Sequence, residues 1–210
     1  SNLEDPIVVY SNPGTYDVSL TVTDAFGTST QSLANFITYS DSVSVISNTN
    51  NFIQDFESSS FPPIAWELES SSFSWLTTTV DFGIDCQPTN VAYVNHYWIQ
   101  YPGEEAYLIS NKISLGVGSN AQNWLKYDYS YSGYASGYDD GLRIDISTDC
   151  GNSWDSIYGA IGADLQTVPY QGSVWLPTCG SWVTDSINLS NLGLNGDTIM
   201  VRFVAINDYG

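Results

Sequence analysis

Asp55 and Glu57 stand one residue apart in "FIQDFESSS", so on an extended strand both carboxylates point to the same face. Asp139 and Asp140 are adjacent in "GYDDGLR", and Asn207 and Asp208 follow "FVAI" near the other end. Clustered side-chain oxygens of this kind are the ligands a hard cation such as Ca²⁺ takes. Glu57 leads this set of candidate metal ligands, with Asp55, Asn207, Asp208, Asp139 and Asp140 beside it. Each cluster has a plainer reading as solvated acid, and Asp139–Asp140 also as a turn in which a carboxylate bonds its own backbone.

Catalytic chemistry finds little material. His96 is the one histidine, so no H-E-x-x-H zinc helix is encoded, and no G-x-S-x-G elbow accompanies a serine. His96 lies in "YVNHYWIQY", which reads as an aromatic strand. Paired carboxylates abound, but a glycosidase pair is defined by separation in space. No catalytic residue is assigned, and the chain is read as a non-enzyme. Tyr134 and Tyr138, set among Ser, Gly and Ala in "YSGYASGYDD", are candidate ligand-binding rings. Tyr127, Tyr129 and Tyr131 alternate and read as packing. Exposed coplanar rings at Tyr134 and Tyr138 favour a sugar platform, buried rings a structural module.

The charge balance narrows the partners. There are 23 acidic residues against 4 basic ones, a net charge of −19. Such a surface repels nucleic acid and anionic membranes. No apolar run reaches the length of about 18 residues that a membrane helix needs, so no membrane insertion is expected. Three cysteines are present. Cys150 and Cys179 both occupy loop-like segments and are expected to pair, closing a loop of about 30 residues worth about 3.6 kcal/mol in the chain-entropy model, with Cys86 left free. Three reduced thiols are the alternative.

The elements that must carry these residues are strands. Val18, Leu20 and Val22 alternate in "YDVSLTVTDA", as do Leu142, Ile144 and Ile146, and Ile199, Val201, Phe203 and Ala205. Helical periodicity is missing, and Gly, Asn, Asp and Ser clusters mark turns between the runs. The chain is all-β. A polar stretch, residues 41–51, divides a short first region (1–40, three expected strands) from a longer one rich in Trp and Tyr (52–210). The abrupt end at "FVAINDYG" reads as a cut within a longer protein.

"YSNPGTYDVSLTVTDAFGTST", with its turn at Pro13-Gly14-Thr15-Tyr16 and then Val22-Thr23-Asp24 and Gly27, resembles the C-terminal half of a polycystic-kidney-disease-type (PKD) domain. That resemblance implies a partial immunoglobulin-like β-sandwich that acts as a spacer. Residues 52–210 resemble the MAM-like jelly-roll modules of secreted bacterial proteins, the cleaved-adhesin or choice-of-anchor type found beside gingipains and metallopeptidases. The blocks that carry this are "DFESSSFPPIAWELE", "AYLISNKISL", "LKYDYSYSGYASGYDDGLRIDISTDCGNSWDSIY", "WVTDSINLSNL" and "IMVRFVAINDYG". The resemblance implies a jelly-roll β-sandwich with structural Ca²⁺ near the first strand. It further implies a secreted or cell-surface setting and an accessory or adhesion role toward protein or glycan at the cell surface or matrix. The alternative is a carbohydrate-binding module that targets an enzyme to polysaccharide.

"STDCGNSWDS" matches the Asp box of sialidases at Ser147, Asp149, Gly151, Ser153 and Trp154. Sialidase propellers repeat that box from blade to blade, and a propeller needs at least four blades. This chain has one box and just two arginines, Arg143 and Arg202, to bind a substrate carboxylate. The stretch is read as a hairpin turn in which Asp149 bonds the backbone and Trp154 packs beneath.

Overall fold

A computed structural model describes residues 8, 10, 14–39, 43–45, 51–70, 72–117 and 122–208. Pro13 and residues 46–50 of the expected linker lie outside them. The chain divides into two compact units, residues 1–42 and 43–210.

In the first unit β1 (Gly14–Asp24) and β2 (Gly27–Tyr39) form an antiparallel hairpin. The turn is closed by Asp24, whose Oδ1 accepts the amides of Phe26 and Gly27 at 2.8 and 3.0 Å. Two strands are found here among the described residues, where three were expected. Alternation sets Val18, Leu20 and Val22 on one face as the sequence pattern requires, yet Leu20 and Val22 are exposed.

The second unit is a β-sandwich. Its larger sheet runs β11 (Asp155–Ile161), β10 (Gly141–Ser147), β13 (Thr198–Ile206), β7 (Glu105–Ile109) and β4 (Glu67–Ser70). The start of β13 also pairs with β8 (Lys112–Ser114), which pairs in parallel with β3 (Val43–Val45). The boundary 41–51 is therefore not linker throughout, because three of its residues extend this sheet. Against it packs the pair β9 (Trp124–Tyr129) and β12 (Val183–Asn188), whose Leu125, Tyr127 and Ile187 meet Ile113, Ile144, Ile146, Ile199 and Val201. The chain thus passes from one layer to the other at β9, back at β10, across again at β12 and back at β13, in the jelly-roll manner.

Alternation puts Arg143, Asp145 and Arg202 on the face opposite that core. Asp145 is 2% exposed and receives both arginine Nε groups, at 3.0 and 2.8 Å. Arg143 also forks onto Glu105, at 2.6 and 3.0 Å. Arg202 lies between the Tyr107 and Trp154 rings, 4.8 and 4.4 Å from their centroids. Trp154 belongs to the Asp-box turn, whose backbone is held as expected. Asp149 accepts from the Ser153 amide at 2.9 Å and its hydroxyl at 2.6 Å, and Trp154 Nε1 donates to the Gly151 carbonyl. The Ser153 hydroxyl and amide hold the Asp149 carboxyl down at about 2.

The expected Cys150–Cys179 pair does not form. Cys179 is bonded to Cys86, and Cys150 is free and exposed. Cys150 sits at the tip of the β10–β11 turn with φ 62°. Cys179 precedes β12, where Trp182 Nε1 donates to the Phe82 carbonyl in the turn between β5 (Leu76–Val80) and β6 (Thr89–Tyr93). That contact brings Cys86, four residues beyond Phe82, to the right neighbour. The bond spans 93 residues, so its reduction should cost about 4.6 kcal/mol in the chain-entropy model. Urea midpoints of the oxidised protein and of Cys86→Ser/Cys179→Ser measure this; equal midpoints would show that the bridge stabilises nothing.

Candidate functional site

Tyr134, Tyr138, Asp139, Asp140, Asn207 and Asp208 converge at one end of the sandwich, where the β6–β7 connector, the β9–β10 loop and the end of β13 meet. The connector is not the aromatic strand expected there. His96–Trp98 form one 3₁₀ turn, from which the chain extends to a tight turn at Tyr101–Glu104.

Asn207, fully buried, fastens this connector. Its side-chain amide donates to the carbonyls of Ile99 and Tyr101 at 3.3 and 3.1 Å. Its own backbone exchanges bonds with Gly103 and Glu104 at 2.7 and 3.0 Å. His96 Nδ1 lies 3.2 Å from the Asn207 Oδ1 and 3.5 Å from Asp140 Oδ1. Asp140 is buried, accepting from the Asp208 amide at 2.8 Å and from the Tyr131 hydroxyl at 3.4 Å. The Asp139 amide in turn donates to Asp208 at 3.2 Å.

Above this polar floor stands a chain of rings. Trp98 packs edge-to-face on Tyr97 (4.8 Å, 89°), Tyr97 on Tyr134 (5.7 Å, 63°) and Tyr134 on Tyr138 (5.3 Å, 88°). Trp98 is 71% exposed and Tyr101 64%, with Tyr97 and Tyr134 at 36%. Tyr134 and Tyr138 are therefore neither coplanar nor buried. The loop under Tyr134 is fixed by the Tyr131, Gly133 and Tyr134 carbonyls, which accept from Thr167, Gln171 and Gly172. A Cβ on Gly133 would lie 3.0 Å from the Gln166 side-chain amide and the Tyr170 ring, so a larger residue here would push those side chains aside.

Of the residues singled out as metal ligands, Asp139, Asp140, Asn207 and Asp208 come together here, while Asp55 and Glu57 lie elsewhere. Glu57 accepts from the Thr89 hydroxyl and Asn90 amide through Oε1 and from the Asn90 side chain through Oε2, bonds that lower its pKa. Asp55 accepts from the Glu57 amide. Glu57 and Asp140 accept hydrogen bonds through both carboxylate oxygens, and Asp55 and Asp208 through one each. Among the described residues no three His, Cys, Asp or Glu side chains gather as metal ligands would. This donor set does not fit a Ca²⁺ cage. Trp98, Tyr97 and Tyr101 are the functional candidates that the strand reading of "NHYWIQYPG" hid; the Pro-Gly turn directly after them was the available signal.

No family model matches the chain, and no curated protein matches it. Among solved structures it is similar to a carbohydrate-binding module from the β-sandwich superfamily, described for the structural basis of its promiscuous specificity. The identity is 16% and the TM-score 0.36, over 96% of this chain and 71% of that one. So slight a likeness carries no argument, and the architecture given above rests on this chain's own strand pairing.

Burial, opposed by the Asp140 carboxylate and the Asn207 hydrogen bond, holds His96 below its usual 6.5. The unfolded chain therefore takes up this proton first, and stability is lost as pH falls below 6.5. At about pH 5.5 the loss reaches up to about 1.4 kcal/mol. Denaturation at about pH 7.5 and 5.5 should show a larger drop for the wild type than for His96→Asn; equal drops would mean that His96 charges freely in the fold.

Proposed function

We propose that this chain is a non-catalytic glycan-binding module of a secreted or cell-surface protein. The observation that carries the reading is Trp98, a largely exposed indole packed edge-to-face on Tyr97, which itself packs on Tyr134, in the same 3₁₀ turn as His96, whose ring meets the buried Asn207–Asp140 floor. An exposed indole face beside hydrogen-bonding groups takes the apolar face of a sugar ring, and preorganisation lowers the entropy cost of that contact. The Cys86–Cys179 bond supports an oxidising, extracellular setting. In the longer protein that the resemblance implies, such a module would position a catalytic domain, a metallopeptidase among the possibilities, at a cell surface or matrix. Adhesion to a protein partner is the second reading, favoured by the exposed Leu20, Val22 and Phe36 of the first unit.

Binding of the whole chain to a panel of soluble oligosaccharides is the test. Saturable binding should weaken about tenfold or more in Trp98→Ala, the loss expected of a central aromatic anchor, and less in Tyr138→Ala, whose ring is partly buried. A folded sample that binds no sugar would overturn the glycan reading and favour the protein partner.

Structural Ca²⁺ at Asp55 and Glu57, which the family resemblance implies, has a separate test in melting with Ca²⁺ and with chelator. Because Glu57 already spends both oxygens on Thr89 and Asn90, the midpoint is expected to stay unchanged. A gain of about 2.7 kcal/mol at hundredfold saturation would establish the site instead.

A further inference from the structure

The aromatic connector runs directly into a cleft that the glycan reading does not yet use. Glu69, Ser70, Gly103, Glu104, Glu105 and Tyr107 line a shallow, open depression of about 520 Å³. The Glu104 amide donates to the Tyr101 carbonyl at 3.4 Å, with Gly103 at φ 81°. This tight turn holds the Tyr101 and Glu104 Cα atoms within about 7 Å of each other. An exposed ring and the wall of the cleft are thus two ends of one turn, pinned at Gly103 and Glu104 by the Asn207 backbone.

The electrostatics of the cleft have one sign. Its lining holds three glutamates and no lysine or arginine. Glu105 is matched by the Arg143 fork, which with the Tyr107 hydroxyl lowers its pKa. Both arginines of the chain are committed to Asp145, and Arg143 to Glu105 as well, so neither offers a fork to an anion. Glu69 is exposed on β4, across from Tyr107 of β7, and Glu104 accepts from the Ser72 hydroxyl. The connector carrying Trp98 and Tyr101 contains no lysine or arginine, its one histidine, His96, faces Asn207 and Asp140, and the chain as a whole carries −19. Uronic, sulfated or sialylated chains would meet repulsion here, whereas an ammonium group would be drawn to the carboxylates and to the ring faces.

We infer that the glycan recognised at this end carries free amino groups, an amino-sugar polymer that stacks on the exposed rings and places ammonium groups in the Glu69–Glu104 cleft. This assignment rests on the glycan reading of Trp98 and adds to it the charge class of the ligand.

The test titrates the whole chain with two matched oligomers, the glucosamine hexamer and its fully N-acetylated counterpart, at about pH 5.5, where free amines are charged. Oligolysine serves as a control. At about 20 mM salt the amine form should bind about tenfold more tightly than the acetylated form, and the ratio should shrink toward one at about 0.5 M salt as screening sets in. Glu69→Gln and Glu104→Gln should each lower the low-salt ratio about threefold, and Trp98→Ala should weaken both oligomers. Equal binding, a preference for the acetylated form, or a ratio unmoved by both glutamine variants would overturn the ammonium assignment and leave the glycan reading standing. Binding of neither hexamer, with or without capture of oligolysine, would overturn this inference, and a blank oligosaccharide panel as well would overturn the glycan reading with it.

Discussion

The second unit depends on one constraint met along one strand: β13 is paired along both edges and at least partly covered over all its length but Thr198, so the backbone polar groups it carries must find protein partners. Its edges pair with β10 on one side and with β7 and β8 on the other. Its inner face supplies Ile199 and Val201 to the core, and its outer face supplies Arg202 to Asp145. Where the ladder ends, Asn207 continues the pairing with its side chain, trading the regularity of a sheet for bonds to a loop. The loop that carries Trp98 and Tyr101 is ordered because that buried amide has nowhere else to bond.

The outer face shows the same logic with charge. Arg143 and Arg202 stand opposite in phase to the apolar residues of their strands. Strand register puts Arg202 directly across from Asp145, and Arg143 two places along on the same strand as Asp145. The ring faces of Tyr107 and Trp154 then shield Arg202 from water. A carboxylate as deeply buried as Asp145 is tolerable only with both guanidinium groups present, since an unpaired charge there would be expensive. The Asp-box turn contributes Trp154 to this cover, which gives the motif a structural role with no link to sugar hydrolysis.

Strand alternation is a local property, and it was legible: the core runs at Ile144–Ile146 and Ile199–Phe203, the division near residue 41 and the hairpin turn at Asp149 all follow from neighbouring residues. What needed the third dimension was less legible. Cys150 and Cys86 are equally loop-like by sequence, and only the contact of Trp182 with Phe82 selects Cys86 as the neighbour of Cys179. Asp139, Asp140, Asn207 and Asp208 were recognisable as a group of oxygen donors, but their partners are backbone amides, a histidine and a tyrosine spread over a hundred residues. Trp98 was hidden because "YVNHYWIQY" has the aromatic density of a strand, while the bonds that turn it into a connector come from Asn207, more than a hundred positions away.

Ring geometry limits how this end of the molecule can bind. Edge-to-face packing at 63° to 89° lets each ring hold the next, but it prevents Trp98, Tyr97, Tyr134 and Tyr138 from forming one flat platform. On the glycan reading proposed above, a sugar chain lying across them would stack fully on one ring face at a time, a contact of modest strength. Selectivity would then come from groups beside the rings rather than from more rings. The turn at Tyr101–Glu104 carries one such group, the Glu104 carboxylate, and is held at Gly103 and Glu104 by the Asn207 backbone. A ring and a carboxylate on one pinned turn make the spacing between stacking and ionic contact a property of that turn, which a ligand of this kind would have to match.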